Sequence, residues 1–312
     1  MEYRHLTGLI AAPFTPMFAD GSLNLTLIPA YYLMLKTNNV SGAFICGSTG
    51  EGVSLTLEEK KRVAMAWADV AAGDDDFQVI TFVGGTCVAD CIDLSKHARS
   101  LGLYAVAYTA PFYFKPASVK VIADIGAEIA ASVPDMPVYY YHIPVLTGVN
   151  FPMIELLKEV GHIKNFAGIK FTYEDLDDFK ACVEYQNGKY DMLWGRDEMM
   201  IDALAVGAKG SVGSTFNYAS SIYIQLMKAF EAGDLTTAKA LQAKACAMID
   251  LLGKYGGIAT GKAYMKRIGM DCGEFRLPVT NMSSDAMKQF IADTNSLGFD
   301  SYCNKLASAV NA

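Results

Sequence analysis

Eight short apolar runs, each followed by an amphipathic stretch, constrain this 312-residue chain more than any other feature of it. The runs are LTGLIAAPF (6 to 14), GAFICG (42 to 47), VITFVGG (79 to 85), YAVAYTA (104 to 110), PVYYYHI (137 to 143), FAGIKFT (166 to 172), DMLWG (191 to 195) and GSVGS (210 to 214). Short runs of this kind read as strands buried on both faces, and the segments between them carry helical period. LEEKKRVAMAWADVA follows the second run, and EMMIDALAVG follows the seventh and stops at Gly207, as a C-cap would. Eight strand–helix units in succession are the count of a closed (β/α)8 TIM barrel, whereas a doubly wound open sheet needs fewer. The barrel is expected over residues 1–233. Residues 234–312 carry no further strand and read as a C-terminal helical extension of three or more helices. Such a tail is not needed for closure; it could cover one flank or build a subunit interface.

Hydrophobic residues make up 52% of the chain and charged residues 19%, enough for a large core and against disorder. The net charge of −7, with no Lys/Arg run longer than the three residues Lys60, Lys61 and Arg62, argues against a nucleic-acid partner. An anionic small molecule would need a local positive field that the total does not reveal. The seven cysteines (Cys46, Cys87, Cys91, Cys182, Cys246, Cys272, Cys303) are odd in number and contain no CxxC pair, the pattern of reduced thiols. His5, His97, His142 and His162 show no ligand spacing, so no metal is expected. The opening MEYRHLTGLIAAPFTP carries an acid and two prolines where a signal peptide needs an unbroken apolar stretch, and no segment reaches transmembrane length. A cytoplasmic protein that does not enter membranes is the expectation.

Lys170 is the residue that most points to chemistry. It sits inside the buried-strand pattern FAGIKFT, where an ammonium loses hydration and its pKa falls. A neutral amine can attack a ketone to form a Schiff base and turn the carbonyl carbon into an electron sink. The structural alternative is a lysine at a frayed strand end with its head in water. If the fold is a barrel, active groups gather at the carboxyl ends of the strands. Ser48, Thr49, Tyr113, Tyr141, Lys170, Asp197, Glu198 and Ser214 all fall there. GSTGEG (47 to 52) is a glycine-framed turn, either purely structural or an anion nest of N–H groups and hydroxyls. In YYYHIP, strand alternation puts Tyr139 and Tyr141 on one face and Tyr140 on the other. All three could be packing; facing the mouth beside Lys170, Tyr141 could shuttle a proton, with Ser48 or Tyr113 holding its hydroxyl. Asp197 and Glu198 suit either a helix N-terminal turn or the binding of a polyol's hydroxyls.

Taken together, GSTGE, PFY, YHIP, GIKFT with its lysine 29 residues after the tyrosine, GRDE and GSVGST resemble one family over residues 6 to about 230. It is the lyase and synthase family that makes or breaks bonds to pyruvate on a Schiff-base lysine, and it includes N-acetylneuraminate lyase, dihydrodipicolinate synthase and 2-keto-3-deoxygluconate aldolase. The resemblance implies that Lys170 forms the Schiff base, Tyr141 relays the proton, and Ser48 and Thr49 hold the pyruvate carboxylate. It also implies that Tyr113 is lent by a neighbouring subunit of a homotetramer. IPVLTGV lacks the arginine that dihydrodipicolinate synthases carry shortly after this proline. Thr172, Gly195, Asp197, Glu198 and Ser214 match the positions with which the sialic-acid-cleaving members hold the sugar. His142 stands where many bacterial lyases have asparagine and looks like the animal-type version. The implied reaction is reversible cleavage of sialic acid to pyruvate and N-acetylmannosamine, with no cofactor, because the iminium is the electron sink. The alternatives are another pyruvate-dependent aldolase, a dihydrodipicolinate synthase, or a catalytically silent keto-acid sensor, the last disfavoured by the presence of both Lys170 and Tyr141.

Overall fold

The computed structural model describes residues 4–307; the ends of both expected segments, 1–3 and 308–312, lie outside the described residues. Eight parallel strands follow one another around a closed barrel: β1 Gly8–Ala11, β2 Gly42–Ile45, β3 Gln78–Phe82, β4 Ala105–Tyr108, β5 Val138–His142, β6 Phe166–Phe171, β7 Asp191–Trp194 and β8 Gly210–Gly213. Each pairs with the next, and β8 pairs with β1. The helices are α1 Ile28–Thr37, α2 Leu57–Ala71, α3 Val88–Ser100, α4 Val119–Ser132, α5 Pro144–Thr147, α6 Met153–Glu159, α7 Leu176–Glu184, α8 Met200–Ala205, α9 Phe216–Glu231, α10 Leu235–Lys254, α11 Thr260–Arg267 and α12 Ser284–Ser296. The last three form the helical segment that follows the barrel.

Every expected strand is present, and the differences lie at the ends. The first is shorter than the run 6 to 14, because Pro13 has no N–H to continue the ladder after Ala12 donates to Gly213. The α2 helix begins at a capping box, with the Thr56 hydroxyl accepting from the Glu59 N–H and the Glu59 carboxylate accepting from the Thr56 N–H. The α8 helix ends two residues before Gly207, whose φ of 102° turns the chain toward β8.

Alternate residues on each strand separate two packed regions. Ile10, Phe44, Ile80, Phe82, Tyr139 and Leu193 fill the barrel interior. Their neighbours Leu9, Ile45, Val79, Tyr140, Ile169 and Trp194 pack outward under the helices. The β6 strand breaks this alternation once. Val138 pairs with Phe166, but the next residue, Tyr139, pairs with Gly168, so Ala167 is an extra residue in the ladder. Phe166 faces outward; in a regular strand Gly168 and Lys170 would follow it outward. The bulge reverses the parity, and Lys170 pairs with the inward-facing Tyr141.

Gly168 is required at the bulge because a Cβ there would overlap the backbone carbonyl of Asp191, which cannot rotate away. Gly168→Ala is expected to destabilise the protein by roughly 2 to 4 kcal/mol through forced backbone displacement. Gly161→Ala, where no atom lies within 4 Å of the added methyl, should be tolerated. Urea titration of the two variants against the parent checks this; equal midpoints would contradict it.

Candidate active site

The inward turn of β6 leaves Lys170 only 4% exposed. Its Nζ lies 4.1 Å from the ring centroids of both Phe44 and Tyr141. Aromatic faces favour a cation, and the nearby Asp197 carboxylate does so too. Loss of hydration outweighs both and brings the pKa down from 10.5 to about 7. At neutral pH about half the amine is then uncharged, against roughly one in three thousand for a free lysine. The frayed-end alternative for this lysine does not hold.

Tyr141 stands directly across the β5–β6 ladder from Lys170. Its ring packs edge-on against Phe44 and Phe82, with centroids 5.4 and 5.8 Å away, and its backbone carbonyl accepts from Thr109 Oγ1 at 2.9 Å. Burial raises the phenol to about 12, while the hydroxyls of Ser48 and Thr172 beside it pull the other way. A phenol in this state is protonated at neutral pH and sits among hydroxyls that can pass a proton along. Of Ser48 and Tyr113, the two residues expected to hold the Tyr141 hydroxyl, Ser48 lies beside it, and so does Thr172, whose buried hydroxyl has no hydrogen-bond partner among the described residues. Within one chain Tyr113 is 78% exposed and packs on Phe114, outside this group.

The GSTGEG turn follows β2 in a strained path. Cys46 and Glu51 both have φ near +58° and +57°, and Gly52 passes so close to the Cys46 carbonyl that no side chain would fit. The Glu51 and Gly52 N–H groups close the turn on Ser48 and Gly47, whereas those of Ser48, Thr49 and Gly50 have no backbone acceptor among the described residues. Three free donors and two hydroxyls in a short turn suit a carboxylate. The turn is held from outside: Thr15 Oγ1 donates to the Gly50 carbonyl, Lys262 Nζ to Glu51 Oε1 and the Arg276 N–H to Glu51 Oε2, at 2.6, 2.8 and 2.8 Å.

Two cavities open at this end of the barrel. The larger, about 490 Å³, is bounded by Ser48, Phe82, Tyr141, Ile143, Ile258 and Phe275. The smaller, about 300 Å³, is bounded by Thr172, Gly195, Asp197, Glu198 and Ser214, with Ile249 and Leu252 of α10. Tyr141, with Ser48 on one side and Thr172 on the other, stands between them. Asp197 Oδ2 accepts from the Thr215 N–H and hydroxyl, while Oδ1 is buried against Gly213 without a partner. Burial raises its pKa to about 6, opposed by Thr215 and Lys170. Glu198 is held by Arg196, which also binds Glu174. The pair occupies a helical turn, Asp197–Met199, leading into α8, the first of the two roles foreseen for it.

Sequence reading missed the supports from the last helices. Gln242 on α10 donates to the Asp197 carbonyl and accepts from the Ile201 N–H, and Cys246 one turn on contacts the Glu198 carbonyl. Neither has a local signature; only the fold brings them here. His142 faces outward among Phe171, Tyr173 and Tyr140, and burial lowers it to about 4, so it is neutral. Among the described residues no group of three or more His, Cys, Asp or Glu side chains could hold a metal, and the seven cysteines are unpaired.

Comparison with known proteins agrees with this geometry. The chain is 40% identical over 293 residues to an N-acetylneuraminate lyase of Xenopus tropicalis, covering 91% of this chain and 95% of the relative. It is 37% identical over 305 residues to the human N-acetylneuraminate lyase, covering 96% and 95%. The solved structure of Proteus mirabilis N-acetylneuraminate lyase superposes with a TM-score of 0.91 at 36% identity, covering 95% of this chain and all of that one. The model of the dihydrodipicolinate synthetase family matches residues 5–296, and with a buried lysine and tyrosine paired at the mouth of a (β/α)8 barrel, the chain belongs to that family.

Proposed function

We propose that this protein is a class I aldolase that cleaves N-acetylneuraminate reversibly into pyruvate and N-acetylmannosamine. The observation that carries the proposal is the Lys170 amine, enclosed by Phe44 and Tyr141, with its pKa brought down to about 7, next to a tyrosine that lines the larger cavity. The Lys170 amine attacks C2 of the open-chain keto acid and loses water to form an iminium. Its positive charge draws in the electron pair of the C3–C4 bond as the C4 hydroxyl proton leaves, releasing the aldehyde and an enamine of pyruvate. Protonation at C3 and addition of water then free pyruvate and restore the amine. Tyr141 relays the proton, Ser48 and Thr49 with the turn's N–H groups hold the keto acid's carboxylate, and no cofactor takes part.

The smaller cavity supports the sugar assignment. Thr172, Asp197, Glu198 and Ser214 border it with hydroxyl and carboxylate side chains, and Gly195 with bare backbone, a lining suited to a polyol chain. The segment IPVLTGV also lacks the arginine that dihydrodipicolinate synthases carry shortly after this proline. We further propose a homotetramer in which Tyr113 completes a neighbour's site. An exposed group of Phe112, Tyr113, Phe114, Val145 and Leu146 supports this, since so much apolar surface calls for a cover. A cytoplasmic location fits the absence, among the described residues, of any helix able to cross a membrane.

Incubation with N-acetylneuraminate, with pyruvate release followed by coupling to lactate dehydrogenase, tests the activity directly. Pyruvate and cyanoborohydride should leave a reduced adduct on Lys170. Because the neutral amine attacks and exists above its pKa, the trapping rate should rise with pH through about 7 and level off. A rate still climbing toward pH 10 would mean an ordinary lysine, and Lys170→Arg should trap nothing.

Tyr141→Phe should still be trapped by pyruvate yet lose turnover by about 10²-fold or more, the usual size of a proton-transfer contribution. Equal loss of both would assign Tyr141 to imine formation instead. Asp197→Ala should lower kcat/KM for N-acetylneuraminate by roughly 1 to 3 kcal/mol while leaving pyruvate trapping near the parent's rate. Normal cleavage by this variant would favour a shorter keto-deoxy sugar acid as substrate.

A further inference from the structure

The helices after the barrel have no part in closing it, yet they reach the carboxylate-holding turn through a fully buried ion pair. Lys262 on α11 and Glu51 in the turn are each 3% exposed, with Nζ and Oε1 2.8 Å apart. Lys262 also donates to the Glu274 carbonyl at 2.9 Å, and the Arg276 N–H occupies the other Glu51 oxygen. Arg276 in turn grips Glu59 with two nitrogens and donates to the carbonyls of Gly21 and Ser54. A left-handed glutamate two residues past Thr49 has both carboxylate oxygens occupied from a segment more than two hundred residues away. The pair cancels its own charge, so its effect on a ligand is one of shape rather than of field.

We infer that Glu51 and Lys262 are positioning residues for the keto-acid carboxylate: their buried pair holds the Ser48–Thr49–Gly50 turn in the form that points its N–H groups and hydroxyls at the ligand. The inference rests on the proposed role of this turn in holding pyruvate. Release of Glu51 lets the turn relax from the left-handed backbone at Cys46 and Glu51, and the three free donors lose their common direction. Lys170 and Tyr141 are carried by β5 and β6, across the barrel from β2, and keep their places. Recognition of a carboxylate is therefore lost while reactivity toward a ketone is retained.

The test compares trapping on Lys170 by pyruvate and by acetone, a ketone with no carboxylate, in the full-length protein with cyanoborohydride. Lys262→Met alone would strand the buried Glu51 charge and could fail to fold. The double variant Glu51→Gln with Lys262→Met removes both charges and leaves an acceptor for the Arg276 N–H. It should lower the ratio of the pyruvate to the acetone second-order rate constants by about tenfold, the scale on which misaligned positioning groups act. Lys262→Arg keeps the charge but moves the donor and should shift the ratio in the same direction by a smaller factor. A ratio unchanged in both variants, whether the two rates fall together or not at all, would overturn the inference and leave the pair a fold-stabilising contact. If the parent protein trapped neither ketone, the reading of Lys170 itself would fall, and this inference with it.

Discussion

A lysine amine enclosed by aromatic rings loses most of the hydration that keeps it charged, and the barrel's geometry exists around Lys170 to hold it there. A displacement of its pKa from 10.5 to about 7 corresponds to a differential on the order of 5 kcal/mol between its charged and neutral forms. The cation–π contacts to Phe44 and Tyr141 and the field of Asp197 act against that displacement and are too weak to cancel it. What makes the enclosure possible is one extra residue, Ala167, in the β6 ladder. Without it Lys170 would point outward under the helices, and Tyr141 would stand opposite Ile169 in the ladder instead.

The site draws on three layers of the molecule. The strands supply the amine and the phenol, the turns at their carboxyl ends supply the donors and acids, and α10 and α11 fix those turns from behind. Each half of the site has its own brace: Gln242 and Cys246 hold the backbone of Asp197 and Glu198, and Lys262 holds Glu51. A buried ion pair is a poor source of net stability, because desolvation offsets its attraction, but breaking one side of it is costly. That asymmetry suits a device whose value is a fixed conformation.

The fold was legible because eight buried parallel strands leave apolar runs that differ in kind from the helices between them, and the runs at 42 to 47, 166 to 172 and 210 to 214 match their strands within two residues. Lys170, Tyr141 and the GSTGEG turn were legible because polar groups in such runs are chemically conspicuous. The direction in which Lys170 faces was not, since simple alternation from Phe166 points it outward and a bulge leaves no compositional mark. Gln242, Cys246 and Lys262 were also invisible, as each looks like any residue on a surface helix until the chain folds. Thr172 beside Tyr141 was not foreseen either, and Tyr113, named from the sequence as a possible partner of Tyr141 and by resemblance as a residue lent by a neighbouring subunit, is exposed within one chain.

Two glycines on the polyol side of the site carry a further consequence. At Gly195 a methyl would overlap the Thr172 hydroxyl, and at Gly213 it would overlap the Asp197 carboxylate, so two polar groups rest directly on bare backbone of neighbouring strands. A side chain at either glycine displaces one of these polar groups before it can reshape the cavity, which closes that route to a new cavity shape by single steps. Ile249, Leu252 and Val145 border the same cavity, and none of them is a glycine on which a polar group rests. A lineage, or a directed-evolution campaign, that redraws the set of accepted sugars while keeping the chemistry has its open path through those three positions, on the helices and not on the barrel.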